Sequence, residues 1–367
     1  MTLAQARALW PPLRTMGHRH LSITSCHNLP DRLAAKYEPD SKLHKIVWPN
    51  NTRPRNIYIT KKPWNPDVRN AMVDIINYIS QHHQHANIIL SEHNIDELQH
   101  PSAGGHSLDD RVRLFTGEVK DIRFKADVLM TIGGDGTILR AVSQFSNFNV
   151  PPILSFSMGT LGFLLPFDVG SYRARVDELF ANRLRVLQRS RLECHVIGTH
   201  PSEARVNMVH AMNEITLHRG SNPNLISLDV YVDGECLTST TADGIIVSTP
   251  TGSTAYSLSS GGSIVHPSIR GLLLTPICPR SLSFRPLILP STSDIMIRLS
   301  QKSRNVSVKL TIDGIELSDM RHGDEIHIRK QLDIDNHIWC MAQGDNDWTK
   351  DINDLLGFNK QFNESKR

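Results

Sequence analysis

The chain has 367 residues, of which 39% are hydrophobic, and its 40 basic and 37 acidic residues give a formal net charge of +3. This size and composition suit one large or two ordinary folded domains, and the near balance of charge gives no reason to expect nucleic acid as a partner. No apolar stretch approaches the roughly 20 residues of a membrane span, and five scattered cysteines without a CxxC pair argue against a disulfide framework or a zinc site.

The first thirty residues differ in composition from the rest of the chain. They contain Arg7, Arg14 and Arg19 but no acidic residue, and Asp31 is the first acid of the sequence. A basic, acid-free leader is typical of a mitochondrial presequence. We therefore predict a presequence over residues 1–30, with a disordered basic tail as the alternative.

Four short apolar runs predict buried strands at 57–60, 87–90, 127–132 and 152–156. A helix is predicted to begin at Pro66, because five apolar residues that follow it share one helical face: Val68, Met72, Ile75, Ile76 and Ile79. Apolar runs without alternation are typical of a parallel sheet covered on both faces. Residues 50–165 are therefore predicted to form a Rossmann-like α/β domain. The three histidines at 82, 83 and 85 point in different directions on a helix, so no metal site is predicted there.

The third of these strands leads directly into a glycine-rich loop, Gly133-Gly134-Asp135-Gly136-Thr137, and residues of helical character follow it. Glycines allow close approach of the backbone to an anion, and a helix N-terminus presents positive partial charge to it. This pattern predicts a polyphosphate site. Asp135 cannot bind phosphate itself, so it is predicted to accept a proton from an attacking hydroxyl or to organise the Mg²⁺ carried by ATP. A simple helix cap is the alternative.

From about Glu193 the pattern changes to alternating strands, predicted at 215–217, 228–232, 245–248, 295–299 and 306–312. Two of these strands run into Asp-Gly turns, which favour hairpins. Residues 166–340 are therefore predicted to form a β-rich, mostly antiparallel nucleotide-binding domain. Residues 341–367 are predicted to form a terminal segment whose amphipathic helix packs back on the first domain.

A second distinctive segment, residues 242–262, is dense in glycine, serine and threonine and follows a buried strand. Small side chains permit close approach of a nucleotide, and hydroxyl groups can bond to ribose or phosphate. Composition alone would also fit a serine-rich surface loop. In the order of its residues, however, the segment resembles the long second signature of the ATP-NAD kinase family nearly residue for residue. Asn213-Glu214 also matches the short Asn-Glu/Asp motif of that family.

Residues 56–64, 275–290 and 346–358 extend the resemblance to the branch formed by the fungal mitochondrial NADH kinases. The resemblance implies a two-domain NAD kinase-like fold with its active site in the cleft, usually assembled as a homo-oligomer. It implies transfer of the γ-phosphoryl group of ATP, with Mg²⁺, to the 2′-hydroxyl of the adenosine ribose of NADH or NAD in the mitochondrial matrix. The products would be NADPH or NADP.

The same resemblance assigns roles to individual residues. It implies that Asp135 is the proton acceptor, that Asn213 and Glu214 hold a ribose, and that Asp243 contacts the nicotinamide end. The remaining contacts implied are those of Gly136 and Arg140 with NAD(H), those of Gly133, Gly134, Gly136 and Thr137 with the ATP phosphates, and an adenine and ribose pocket lined by Thr254, Ala255, Tyr256, Ser257, Leu258 and Ser259.

Two other functions share part of this pattern. A lipid kinase would also carry the loop at 133–137, but it does not predict the segment 249–262. A noncatalytic NAD(H)-binding sensor would keep the binding residues without needing Asp135. No residue in the sequence distinguishes NADH from NAD.

Overall fold

The computed structural model describes residues 22–99, 105–159, 162–198, 208–331, 337–345 and 347–357. Most of the predicted presequence, residues 1–21, and residues 346 and 358–367 of the predicted terminal segment lie outside them. The strands within the described ranges are β1 (Ser22–Ser25), β2 (Lys36–Asp40), β3 (Leu43–Val47), β4 (Asn56–Lys61), β5 (Asn87–Leu90), β6 (Arg113–Thr116), β7 (Val128–Gly133), β8 (Ile153–Ser157), β9 (Phe167–Asp168), β10 (Arg185–Arg189), β11 (Leu192–Ile197), β12 (Val209–Ala211), β13 (Glu214–His218), β14 (Ile226–Val232), β15 (Glu235–Ala242), β16 (Gly244–Ser248), β17 (Gly271–Ile277), β18 (Leu287–Pro290), β19 (Ile295–Leu299), β20 (Ser307–Ile312), β21 (Ile315–Arg321), β22 (Glu325–Lys330) and β23 (Ile338–Ala342). The α-helices are α1 (Pro66–His82), α2 (Glu92–Gln99), α3 (Val119–Lys125), α4 (Asp135–Ser143), α5 (Tyr172–Phe180), α6 (Tyr256–Ser259) and α7 (Asp347–Leu356).

The first sheet is a mixed sheet of 11 strands in the order β1-β6-β5-β4-β7-β8-β23-β10-β3-β2, with β9 beside β8. The strands from β1 to β23 in this order pair in parallel. The pairs β10 with β23, β10 with β3 and β2 with β3 are antiparallel. The predicted parallel sheet is therefore confirmed as the main part of this sheet, and an antiparallel extension completes it.

Helix α1 shows why the first domain folds as predicted. The side chain of Asn65 caps the helix by accepting a hydrogen bond from the N–H of Val68 at 3.1 Å. All five predicted apolar residues of this helix are buried against the sheet. Helix α4 and Phe145, two residues beyond its C-terminal end, bury apolar side chains in a separate cluster with Tyr58 and Leu129. The sheet is thus covered on both faces, as its apolar strands predict.

The second half of the chain contains two antiparallel six-stranded sheets, β12-β11-β22-β19-β14-β15 and β18-β17-β16-β13-β20-β21. Their apolar side chains meet in one buried cluster, as in a sandwich. Asp233 and Gly234 have φ of 52° and 85°, and Asp313 and Gly314 have φ of 48° and 77°, which suits tight hairpin turns. The predicted β-rich, mostly antiparallel fold is confirmed.

The chain crosses between the two halves more than once. Strands β10 and β23 both belong to the first sheet, although they lie before and after the sandwich in the sequence. Helix α7 then follows β23, and its residue Trp348 contacts the ring of His266 with centroids 4.6 Å apart. The predicted boundaries at 165, 340 and 341 stay a prediction. Within the described residues, no helix is long and apolar enough to cross a membrane, and no group of three potential ligands could hold a metal ion.

Candidate active site

The glycine-rich loop joins β7 to α4, as predicted, and its glycines have different surroundings. Gly133 has φ of 153°, and a Cβ atom there would lie 2.5 Å from Oγ1 of Thr137 and 3.0 Å from Cβ of Lys62. A side chain at 133 would therefore strain the loop. A Cβ at Gly134 or Gly136 would meet no atom within 4 Å. The loop is thus tightly packed behind Gly133 and open at Gly134 and Gly136, next to the N-terminus of α4, which suits an anion.

Asp135 is the first residue of α4, and its carboxylate is directed at a neighbouring segment of backbone. Its two oxygens accept hydrogen bonds from the N–H groups of Phe163 and Leu164, each at 3.1 Å. A Cβ at Gly162 would lie 2.2 Å from Oδ1 of Asp135, so this position must be small. Burial raises the pKa of the Asp135 carboxyl, although the two N–H donors and Arg189 oppose the shift. The carboxylate keeps free lone pairs, because two donors occupy only part of its capacity.

Asn213 and Glu214 stand at the start of β13, and both are buried. Their N–H groups donate to Oδ1 of Asp313 at 2.7 and 3.0 Å, and the N–H of Met212 donates to Oδ2 at 2.8 Å. Within the described residues, Oδ1 of Asn213 and Oε2 of Glu214 have no hydrogen-bond partner. Burial, and then the nearby Asp313 carboxylate, raise the pKa of Glu214 to about 8. The Asp313 carboxylate therefore fixes the backbone of Asn213 and Glu214, and the side chains of these two residues stay available to a ligand.

The segment after β16 packs tightly against this motif. The N–H of Thr249 donates to the carbonyl of Asn213 at 2.9 Å, and Oγ1 of Thr249 donates to the carbonyl of Met212 at 2.7 Å. A Cβ at Gly252 would lie 2.2 Å from the carbonyl oxygen of Asn213, so glycine is required there. Gly252 therefore lets this segment approach the backbone of Asn213 closely, and the predicted approach of a nucleotide stays a prediction.

Residues 254–259, predicted to line the nucleotide pocket, differ in exposure. Tyr256 is 44% exposed, so it is open to an approaching ligand. Ser257 is buried, and its hydroxyl bonds to that of Thr275 at 2.8 Å. A Cβ at Gly262 would lie 2.2 Å from Oγ of Ser257. Ser257 therefore holds the segment in shape, whereas Tyr256 is accessible to a ligand.

Arg189, on β10, connects the two signatures and was not predicted. One guanidinium nitrogen donates to the carbonyl of Phe163 at 3.2 Å, and another donates to Oγ1 of Thr251 at 3.4 Å. The same Phe163 donates its N–H to Asp135. Asp135 and the segment that begins at Thr249 are thus joined through one buried arginine. Nothing local in the sequence marks this residue, because its partners lie far away along the chain.

Two of the predicted residues lie apart from this network. Asp243 precedes β16, whereas Ser248, which pairs with Glu214, ends it. Five residue-to-residue steps along the strand separate Asp243 from Ser248, roughly 16 Å at about 3.3 Å per step. The Asp243 carboxylate forms an ion pair with Arg219 at 2.5 Å. Arg140 is exposed on α4, one turn beyond Gly136 and on the same side of the helix.

Family models match both halves of the chain. The ATP-NAD kinase N-terminal domain matches residues 67–184, and the ATP-NAD kinase C-terminal domain matches residues 212–333. The mitochondrial NADH kinase of Saccharomyces cerevisiae is 43% identical, over 96% of this chain and 92% of the relative. The mitochondrial NADH kinase of Schizosaccharomyces pombe is 42% identical, over 88% of this chain and 79% of the relative.

Solved structures agree with these matches. A crystal structure of yeast NADH kinase complexed with NADH superposes with a TM-score of 0.87 at 44% identity, covering 95% of this chain and 99% of that one. An NAD kinase from Archaeoglobus fulgidus, solved in complex with ATP, superposes with a TM-score of 0.58 at 20% identity, covering 82% of this chain and 97% of that one, and shares the fold. By sequence and by fold, the chain belongs to the ATP-NAD kinase family.

Proposed function

We propose that this chain is an NAD(H) kinase, which transfers the γ-phosphoryl group of ATP to the 2′-hydroxyl of the adenosine ribose of NADH or NAD. The observation that carries the proposal is the half-buried Asp135 carboxylate at the head of α4, between the open positions Gly134 and Gly136 of the phosphate loop. The two fungal relatives named as mitochondrial NADH kinases support NADH as a substrate and the mitochondrion as the location.

In the proposed reaction, Asp135 accepts the proton of the 2′-hydroxyl as the ribose oxygen forms its bond to the γ-phosphorus. The bond from that phosphorus to the bridging oxygen breaks, and ADP leaves. A raised pKa makes Asp135 a better proton acceptor than an ordinary carboxylate. The hydrogen bonds from Phe163 and Leu164 hold the carboxylate in one orientation. The N–H groups at the loop, together with the Mg²⁺ that accompanies ATP as substrate, stabilise charge on the transferring group.

We assign the substrate contacts as follows. Asn213 and Glu214 bond to a ribose, because each has a buried polar atom without a partner. Tyr256 contacts the adenine through its exposed ring, and Asp243 contacts the nicotinamide end. The other proposed NAD(H) contacts are Gly136, Arg140, Thr254, Ala255, Ser257, Leu258 and Ser259, and those to the ATP phosphates are Gly133, Gly134, Gly136 and Thr137.

The test is to offer NADH and NAD in parallel to the purified full chain with ATP and Mg²⁺, and to measure NADPH and NADP. Faster use of NADH supports an NADH kinase. Equal or faster use of NAD supports the family activity without that preference. No product from either substrate would refute the proposal and favour a lipid kinase or a sensor.

Location and assembly need their own measurements. We propose a mitochondrial matrix location, to be tested with a fluorescent reporter fused behind residues 1–40. A reporter that stays in the cytosol would contradict it. We also propose a homo-oligomer, and sedimentation of the purified chain at a single-subunit mass would contradict that. The same proposal includes the division of the chain into a presequence (residues 1–30), two domains (residues 50–165 and 166–340) and a terminal segment (residues 341–367).

A further inference from the structure

The end of β4 lies beside the phosphate loop. Strands β4 and β7 pair in parallel up to Lys61 and Ile132, and the N–H of Lys62 donates to the carbonyl of Ile132 at 2.9 Å. The position that a Cβ would take on Gly133 lies 3.0 Å from Cβ of Lys62 and 2.5 Å from Oγ1 of Thr137. The side chains of Lys62 and Thr137 therefore both lie next to Gly133.

The two neighbouring lysines, Lys61 and Lys62, have opposite surroundings. The ammonium group of Lys61 is fully buried and forms an ion pair with Glu97. Lys62 is exposed, and it has no ion-pair partner within the described residues. Lys61 is thus committed to the interior of the protein, whereas the charge of Lys62 is available to an anion.

The backbone that carries Lys62 is held at both ends. The ladder with β7 fixes its N-terminal side, and the capping hydrogen bond from Val68 to Asn65 fixes the start of α1 only three residues later. A lysine on a mobile loop would lose conformational freedom on binding an anion, but here only the side chain must be ordered. The same loop offers open space at Gly134 and Gly136.

We propose that Lys62 binds the phosphate chain of ATP and holds the γ-phosphoryl group over the loop; this inference rests on the proposed function. An ammonium group contributes a compact positive charge and up to three hydrogen-bond donors. It complements the N–H groups of the loop, which supply partial charges only. Lys62 thus supplies a full positive charge beside the loop, in which Asp135 is the one charged residue.

The test compares Lys62→Met with Lys62→Arg and with Lys120→Met, which removes an exposed lysine on α3 as a matched control. Loss of one charge-assisted contact predicts a KM for ATP that is raised about tenfold or more in Lys62→Met. The KM of Lys62→Met for NADH should stay within twofold of the wild-type value. Its melting temperature should stay within about 2 °C of that of the wild type. Lys62→Arg should recover much of the ATP affinity, and Lys120→Met should behave as the wild type.

Direct binding measurements distinguish a contact of Lys62 with the phosphates of ATP from a contact with its adenine base. Isothermal titration with ATP, ADP and AMP should show the deficit of Lys62→Met for ATP and little or none for AMP. An unchanged KM for ATP, or an equal loss for AMP, would overturn the inference. A raised KM for NADH alone would also overturn it, because the lysine would then serve the pyrophosphate of the dinucleotide. Absence of turnover in the wild type would instead refute the proposed function.

Discussion

Replacement of Glu214 by glutamine should stabilise the unliganded protein at neutral pH, although Glu214 is a proposed binding residue. Its carboxyl group is buried beside Asp313, and both features raise the pKa of Glu214 to about 8 from a usual value of 4.5. A raised pKa means that the folded chain holds this proton more tightly than the unfolded chain. The contribution of this proton to the free energy of unfolding is fully present below pH 4.5 and is lost as the pH rises through about 8.

The size of the effect follows from proton linkage. Between the two pKa values the folded chain binds up to one proton more than the unfolded chain, so the free energy of unfolding falls by at most about 1.4 kcal/mol per pH unit. From pH 5.5 to 7.5 this is at most about 3 kcal/mol, which lowers the melting temperature by at most roughly 4 °C for a protein of this size. Glutamine resembles the protonated acid and does not titrate. Glu214→Gln should therefore melt a few degrees higher than the wild type at pH 7.5, and higher by a smaller margin at pH 5.5.

Thermal unfolding of the unliganded protein, followed by differential scanning fluorimetry at both pH values, measures this difference. Glu235→Gln, on the exposed start of β15, is the matched control and should not change the pH dependence. If Glu214→Gln melted with the same pH dependence as the wild type, or lower than the wild type at pH 7.5, Glu214 would not be held as a neutral acid and the reasoning would be refuted.

Three further variants test other parts of the site. Asp135→Asn should lower kcat by about 10²- to 10⁴-fold, as expected for loss of a general base, while calorimetry still detects NADH binding. Gly136→Ala should keep or slightly raise the melting temperature, because its Cβ meets no atom within 4 Å and alanine favours a helix, but it should raise the KM for ATP. Asp313→Asn should weaken the three N–H contacts at the start of β13, destabilising the protein by about 2 kcal/mol and raising the KM for NADH; equal KM values would contradict its positioning role.

The features that sequence reasoning predicted are those encoded by nearby residues. Glycines between a strand and a helix predict the loop at Gly133, and the spacing of apolar residues predicts α1. Both patterns can be recognised because the residues that form them lie close together in the sequence. Arg189 and Asp313 escaped prediction because their partners are distant in sequence, at Phe163 and Met212 respectively. The Asp313-Gly314 pair by itself indicates only a hairpin turn, and the structure has that turn.

The first sheet shows the same limit at a larger scale. Its central strands are continuous apolar runs and were predicted as a parallel sheet. Strand β23 pairs with β8, almost two hundred residues earlier, and β10 joins the sheet on the other side of β23. No local pattern specifies such pairings. They place Arg189, the last residue of β10, where it reaches both Phe163 and Thr251, so the topology that sequence could not reveal is also what joins the two signatures.

The unpaired polar atoms of the site favour a nucleotide over a lipid. Three buried atoms, Oδ1 of Asn213, Oε2 of Glu214 and Oγ of Ser248, have no hydrogen-bond partner in the part of the chain that the structure describes. Glu214 and Ser248 lie directly opposite each other on paired strands. Each unpaired buried group costs about 1–3 kcal/mol, which a ligand rich in hydroxyl groups recovers on binding and an acyl chain does not. Because these groups gather at one place, next to the segment that begins at Thr249, they argue for a ribose there.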